Sequence, residues 1–219
     1  MNHRAVSGIG MTSQRTRTRM IDRLREQGIR DERVLAAIAA VPRHVFVEEA
    51  LASRAYEDTA LPLGFSQTIS QPFIVARMIE VLREGRELGK TLEVGAGCGY
   101  QAAVLAQLTD EVYAVERIEP LLAKAKANMR KIQQFKVRLK YADGQLGLPE
   151  AAPFDTIIVA AAAAAIPQAL LQQLALGGRM LLPVGSGDQY LVLIERRTDR
   201  YVETRLDGVR FVPLLSGLE

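Results

Sequence analysis

The stretch Thr91-Leu92-Glu93-Val94-Gly95-Ala96-Gly97-Cys98-Gly99-Tyr100 constrains this chain more than any other. Leu92 and Val94 supply a short apolar strand. Gly95, Gly97 and Gly99 allow a tight turn and a close backbone approach to a ligand. Ala103, Val104 and Leu108 then continue with helical spacing over 100–108. A second apolar run, Val112-Tyr113-Ala114-Val115, ends in Glu116. A strand, a glycine turn and a helix, with an acid closing the neighbouring strand, is the plan of a nucleoside site in which the acid holds ribose hydroxyls.

The spacing of the glycines bears on which nucleoside. Dinucleotide loops read G-x-G-x-x-G, whereas here position 100 is Tyr and the loop reads G-x-G-x-G after Glu93. A pyrophosphate needs free amides at a helix N-terminus and is repelled by a nearby acid. S-adenosylmethionine carries no phosphate, and its ammonium and sulfonium are favoured beside a carboxylate. The loop therefore favours S-adenosylmethionine over NAD. A tight strand-helix turn with no ligand is the alternative that the loop alone leaves open.

From residue 90 onward, strands and helices alternate. Strands are expected over 91–95, 112–116, 137–141, 155–159 and 179–184. Helices are expected over 100–108, 119–132 and 167–176, the last closed by Gly177-Gly178. Two antiparallel strands, 189–196 and about 209–214, end the chain. This order predicts an α/β fold with a doubly wound, mostly parallel sheet, an N-terminal helical extension and a C-terminal antiparallel hairpin. Ligands bind such sheets at the carboxyl ends of the strands, and Glu93, Glu116 and Asp143 all fall there. Each acid has a plainer reading: Glu93 capping its loop, Glu116 pairing with Arg117 at the surface, Asp143-Gly144 as a simple turn. The run Ala160–Ala165 either lets the backbone pass close to something or starts a helix before Pro167.

Ahead of residue 90 the chain is less regular. Residues 1–12 have no period and are expected to form a disordered tail, with one domain over 13–219 divided into a helical and substrate-loop part (13–89) and a cofactor-binding core (90–219). Helices are expected from about Thr16 to Gly28 and, N-capped by Asp31, from Val34 to Pro42, with a short helical piece at Phe46 and Val47. Residues 55–72 read as a non-periodic loop feeding a helix whose apolar face is Ile74, Val75, Met78, Ile79 and Leu82. Such a loop is where function tends to sit. Ser70 can serve as the N-cap of that helix, or its hydroxyl can donate to an anion near the helix N-terminus.

The inventory of reactive groups is sparse. One cysteine, Cys98, and two histidines, His3 and His44, argue against a disulfide, a metal cluster or histidine-based catalysis, and point to a reducing cytoplasm. The net charge of +3 is too small to argue for nucleic acid. Residues 1–30 hold seven arginines against two acids, but no aromatic that could stack a base, so a solvated terminus is favoured over a nucleic-acid arm. No apolar run is long enough to span a bilayer, and no apolar stripe is left over, so a monomer without membrane contact is expected.

Several segments, taken together and in order, closely resemble protein-L-isoaspartate O-methyltransferases. They are Thr-Ile-Ser-Gln-Pro at 68–72, the glycine loop at 92–100, Val-Glu-Arg-Ile at 115–118, Asp-Gly-Gln-Leu-Gly at 143–147, Ala-Pro-Phe-Asp at 152–155, Leu-Pro-Val-Gly at 182–185 and Val-Arg-Phe-Val-Pro-Leu at 209–214. The first and last of these are the most selective. The resemblance runs from about residue 20 to 217 and implies a Rossmann-like, S-adenosylmethionine-dependent repair enzyme that leaves S-adenosylhomocysteine. Its substrates would be proteins and peptides carrying L-isoaspartate, methylated on the free α-carboxylate; the ester then collapses to a succinimide. The resemblance makes Ser70 the active-site residue and puts Thr68, Ile69 and Ser70 itself beside the cofactor. Glu93, Gly95, Ala96 and Gly97 form the cofactor loop, Glu116 with Arg117 binds at the ribose, and Asp143 with Gly144 lies by the adenine. The chain departs from the family at Cys98 (often Ser), Ala142 (commonly Gly) and Ala164 (commonly Pro), and none of these is a chemical position. An RNA or small-molecule methyltransferase and a non-catalytic sensor of the cofactor are the rival readings, since a fold by itself does not fix a function.

Overall fold

The computed structural model describes residue 8 and residues 10–219. The expected disorder of residues 1–7 and 9 lies outside the described residues, while Gly10–Thr12 forms a turn of 3-10 helix. Helix α1 (Gln14–Glu26) buries Met20, Ile21 and Leu24. Three of its five arginines are tied to the protein rather than free. Arg17 donates to the Ala39 carbonyl (3.0 Å), Arg23 to the Tyr56 carbonyl (2.5 Å), and Arg25 to Glu32. Helix α2 (Glu32–Ala40) starts where the Asp31 carboxylate accepts from the Arg33 and Val34 amides, as its sequence predicts, and ends before Pro42. Two 3-10 turns, Arg43–Phe46 and Glu49–Arg54, follow.

The segment expected as a loop contains a small hairpin, β1 (Leu61–Gly64) with β2 (Gln67–Ile69). Its turn residues, Phe65 and Ser66, both have positive φ (52° and 55°), as a type I′ turn requires. Phe-Ser is an unusual pair for that conformation, and Pro62 interrupts the first strand, so the hairpin carries none of its usual sequence signals. Helix α3 (Pro72–Arg83) leads to the main sheet.

That sheet is built from β3 (Thr91–Val94), β4 (Val112–Glu116), β5 (Val137–Tyr141), β6 (Phe154–Val159), β7 (Leu174–Val184), β8 (Gln189–Arg196) and β9 (Tyr201–Val209), in the order β5-β4-β3-β6-β7-β8-β9. The first five are parallel; β7–β8 and β8–β9 are antiparallel. Helices α4 (Tyr100–Leu105), α5 (Glu119–Lys131) and α6 (Gln168–Gln173) complete the chain. The strand order reverses between β3 and β6, which opens a crevice beyond their carboxyl ends. All four residues of β3 are buried, as expected of a strand covered on both faces.

Two boundaries differ from expectation near the C-terminus. Helix α6 is only six residues, and Gly177-Gly178 do not close it. They lie inside β7, where the pairing with β6 jumps from Leu174 to Arg179 as a bulge. The last strand is β9, ending at Val209, not 209–214. Its pattern is that of a half-exposed edge, with charged residues at Glu203, Arg205 and Asp207 masking the period. Residues 212–214 instead run beside the alanine run: Ala162 donates to the Val212 carbonyl (2.8 Å) and Leu214 donates to the Ala162 carbonyl (2.7 Å). The alanines thus let a backbone pass closely, and no helix forms there.

Candidate active site

A cavity of about 840 Å³, counting its open mouth, lies at the carboxyl ends of β3 and β4. Its floor is the glycine loop. Gly95, Gly97 and Gly99 all have positive φ, so side chains there are disfavoured whatever the space. Gly95 and Ala96 donate to the Val115 carbonyl (both 3.0 Å), which ties the loop to β4. Gly144 is needed for a different reason: a Cβ there would come within 2.5 Å of Val94 Cγ1.

Glu116, 5% exposed, ends β4 and organises the loop. One of its oxygens accepts from the Gly97 amide (2.8 Å) and the other from Ile118 (2.9 Å). A carboxylate oxygen can accept more than once, so lone pairs remain for hydroxyl donors in the cavity. Glu93 is 1% exposed. Its Oε1 accepts from Gln101 (3.0 Å), while its Oε2 is buried with no hydrogen-bond partner. Burial, first of all, pushes this carboxyl up to about 8; Gln101 opposes the shift and nearby Glu116 adds to it. That oxygen lies beside the cavity and can accept from a cation or another donor.

Thr68, Ile69 and Ser70 form one wall. The helix that follows does not use Ser70 as its cap. Its N-cap is Gln71, which makes no side-chain cap bond, and the Asp58 carboxylate accepts from the Phe73 amide (2.9 Å) instead. The Ser70 hydroxyl has no partner among the described residues and lines the cavity. The opposite rim is Val212, Pro213, Leu214 and Leu215 with Ala160 and Ala161.

Two of the expected cofactor residues have side chains turned to other work. Arg117 borders the cavity, but its guanidinium donates to the Gly217 carbonyl (2.8 Å) and to Glu219 (2.9 Å), which pins the C-terminus. The Asp143 carboxylate accepts from the Gln145 (2.8 Å) and Gly217 (2.6 Å) amides, leaving Gly144 to face the cavity. Cys98 is buried, and burial pushes its thiol up to about 11, so it is a small apolar filler. Asp58, Arg43, Gln101, Leu63 and the 212–215 strip were not singled out as site residues. Only the last left a mark in the sequence, the terminal Val-Pro-Leu segment.

The donor set discriminates between ligands. Buried acids at Glu93 and Glu116, with the one bordering arginine engaged elsewhere, suit a cation and ribose hydroxyls and disfavour a pyrophosphate. S-adenosylmethionine fits these residues.

The comparisons with known proteins agree. The family model described as Protein-L-isoaspartate(D-aspartate) O-methyltransferase matches residues 15–219. A protein-L-isoaspartate O-methyltransferase of Dechloromonas aromatica is 78% identical over 97% of this chain and 99% of its own length. One from Aromatoleum aromaticum is 65% identical over 96% of each. Among solved structures, a protein-L-isoaspartate O-methyltransferase superposes with a TM-score of 0.83 at 28% identity, over 92% of this chain and 67% of that one. A Plasmodium falciparum protein described as a putative member of the same class, solved with S-adenosyl-L-homocysteine, shares the fold at a TM-score of 0.79 and 22% identity, over 91% of this chain and 98% of its own. With a matching family model over nearly the whole length, close relatives and the cavity all in accord, the chain belongs to the protein-L-isoaspartate (D-aspartate) O-methyltransferase family.

Proposed function

We propose that this chain methylates the free α-carboxylate of L-isoaspartyl residues in damaged proteins and peptides, with Ser70 orienting that carboxylate. Supporting this most directly, the Ser70 hydroxyl is unpartnered on one wall of the cavity, while the Glu93 oxygen left unpartnered belongs to its floor. S-adenosyl-L-methionine supplies, when bound, a methyl group on a sulfonium that leaves as a neutral thioether. Glu93 would receive its ammonium, Glu116 its ribose hydroxyls, Gly95, Ala96 and Gly97 its close approach, and Thr68 and Ile69 would lie alongside; Gly144 would border the adenine.

The chemistry asks little else of the protein. An α-carboxylate has a reference pKa of about 3.3–3.7 and is already ionised at neutral pH, so no general base is needed. The cavity lining contains no histidine, and His44 is instead bonded to Tyr56 (2.7 Å). What remains is to hold acceptor and donor in line and to keep water out. Ser70 donates one hydrogen bond to the carboxylate; the Leu63 side chain, close to Gly97, and the Val212–Leu215 strip shield the reacting atoms. Residues 13–89 supply the acceptor wall and 90–219 the cofactor floor. Scattered exposed apolar residues on separate elements, such as Phe135, Leu146 and Leu176, favour a monomer, and a single buried thiol suits the cytoplasm.

The test is methyl transfer from labelled S-adenosylmethionine to two peptides differing only in one linkage, L-isoaspartate or normal L-aspartate. Label on the first alone, released as methanol by base, is the expected result. Label on neither, with the cofactor bound, overturns the reading.

A further inference from the structure

Arg43 lies outside the cavity lining, yet it holds both ends of the hairpin segment and the ring of Tyr100. It is fully buried (0% exposed) in the turn after α2. Its Nε donates to the Ala55 carbonyl (2.8 Å) and its Nη2 to the Ser70 carbonyl (2.6 Å). Those two carbonyls bracket the segment that contains the β1–β2 hairpin, so one guanidinium clamps both of its ends. The same group stacks on the ring of Tyr100, 4.8 Å from its centroid. Tyr100 opens α4 directly after the glycine loop and lines the cavity. Arg43 therefore registers the serine segment against the cofactor loop.

Its charge is the anomaly. Among the described residues no carboxylate pairs with Arg43, and its Nη1 has no hydrogen-bond partner at all. The acid that acts on it from a distance, Asp58, is occupied by the Phe73 amide and by the Gln27 side chain (2.8 Å). A buried cation without a counter-ion is strongly unfavourable. Breaks of this kind in otherwise consistent proteins gather at functional sites. A carboxylate seated at Ser70 would be an anion brought into the same poorly screened region.

We propose that Arg43 is the positioning residue of the acceptor site: it fixes Ser70 through the Ser70 carbonyl, and its uncompensated positive charge selects a carboxylate as the methyl acceptor. This rests on Ser70 as the acceptor-site residue. Lysine retains the charge but lacks the planar fork that reaches two carbonyls while stacking on a ring, so charge and geometry are separable by substitution.

The experiment uses the full-length protein with an isoaspartyl peptide and its α-carboxamide isostere as a competing ligand. Three quantities are read for wild type, Arg43→Met and Arg43→Lys: kcat and KM for the peptide, the preference for carboxylate over carboxamide, and the Kd of S-adenosylhomocysteine. Arg43→Met is expected to lower kcat/KM about 10- to 100-fold and to cut the carboxylate preference about tenfold, with the Kd changed about threefold or less. Arg43→Lys is expected to keep the preference while kcat falls. An unchanged preference in folded Arg43→Met overturns the proposal. If Arg43→Met does not fold, Arg43→Lys decides: a retained preference with lower kcat supports the proposal, and a lost preference overturns it. Failure of the underlying functional reading is distinct, because wild type itself would then leave the isoaspartyl peptide unmethylated.

Discussion

The two ends of the cavity are built in opposite ways. At the cofactor end, two buried carboxylates, Glu93 and Glu116, stand on adjacent parallel strands, and their partners are mostly the loop and helix that follow directly in the chain. At the acceptor end, the buried charge is the Arg43 guanidinium, set behind a wall assembled from residues 67–70, the alanines at 160–161 and the strip at 212–215. The first end is local in sequence and turns fully negative only as an arriving cation draws the proton from Glu93; the second is positive and distributed. A cationic donor and an anionic acceptor are thus each favoured at one end by charge, which helps place each there.

The comparison breaks hardest at Glu116. Removing its carboxylate strands the Gly97 and Ile118 amides as well as the hydroxyls it would bind. Glu116→Ala is expected to weaken S-adenosylhomocysteine binding about 100-fold or more and to lower Tm, since each bond to a charged group is worth about 1.5–3 kcal/mol. Glu116→Gln, which retains an acceptor, should lose less of both. Calorimetric titration and thermal unfolding check this. Binding intact in Glu116→Ala would remove the local, acid-built character of the cofactor end.

Ser70→Ala probes the other end. It is expected to slow methyl transfer about 10- to 100-fold, the worth of one charge-assisted hydrogen bond, with S-adenosylhomocysteine binding and Tm nearly unchanged. A fall in Tm and cofactor binding together would return Ser70 to a capping role. The control is Asp58→Ala, because Asp58 is what caps α3. Loss of a cap costs about 1 kcal/mol, so Tm should fall by about 2–4 °C in a chain of this size.

The same asymmetry explains what could be read from the chain beforehand. The parallel core was legible because β3, β4 and β6 are short apolar runs ended by glycine, acid or alanine, and the strand periodicity puts Glu93, Glu116 and Asp143 at or just past strand ends, although the Asp143 carboxylate is then taken up by the Gln145 and Gly217 amides. The acceptor end was not. The β1–β2 hairpin rests on Phe65 and Ser66 at positive φ, residues that do not announce such a turn. Asp58 caps a helix fifteen residues away, and Arg43 reaches Ser70 over twenty-seven, so neither has a local signature. Strand β9 lies earlier than its apolar pattern suggests because an exposed edge tolerates charge where a core strand does not, and the apolar Val212–Leu214 piece belongs to the cavity rim instead.

The smallest expected effect is the most diagnostic of the negative end. Burial raises the Glu93 carboxyl from an ordinary 4.5 to about 8, so in the empty protein at neutral pH it mostly keeps its proton. The sign is the reverse of a paired carboxylate. The folded protein holds a proton that the unfolded chain has released, so stability is full below about 4.5, falls as pH rises towards about 8, and is flat above. A cation beside the unpartnered oxygen favours the charged form and lowers that value. Cofactor affinity should then rise with pH up to about 8, and binding at neutral pH should release up to about one proton. Titrating wild type and Glu93→Gln with S-adenosylhomocysteine in two buffers of different ionisation enthalpy gives the proton count directly. The wild type should release protons and the variant should not, and the variant should also lose the pH slope in unfolding between about 5 and 8. Equal proton counts in the two proteins would mean that Glu93 does not meet the cofactor's cation, and the negative end would then rest on Glu116 alone.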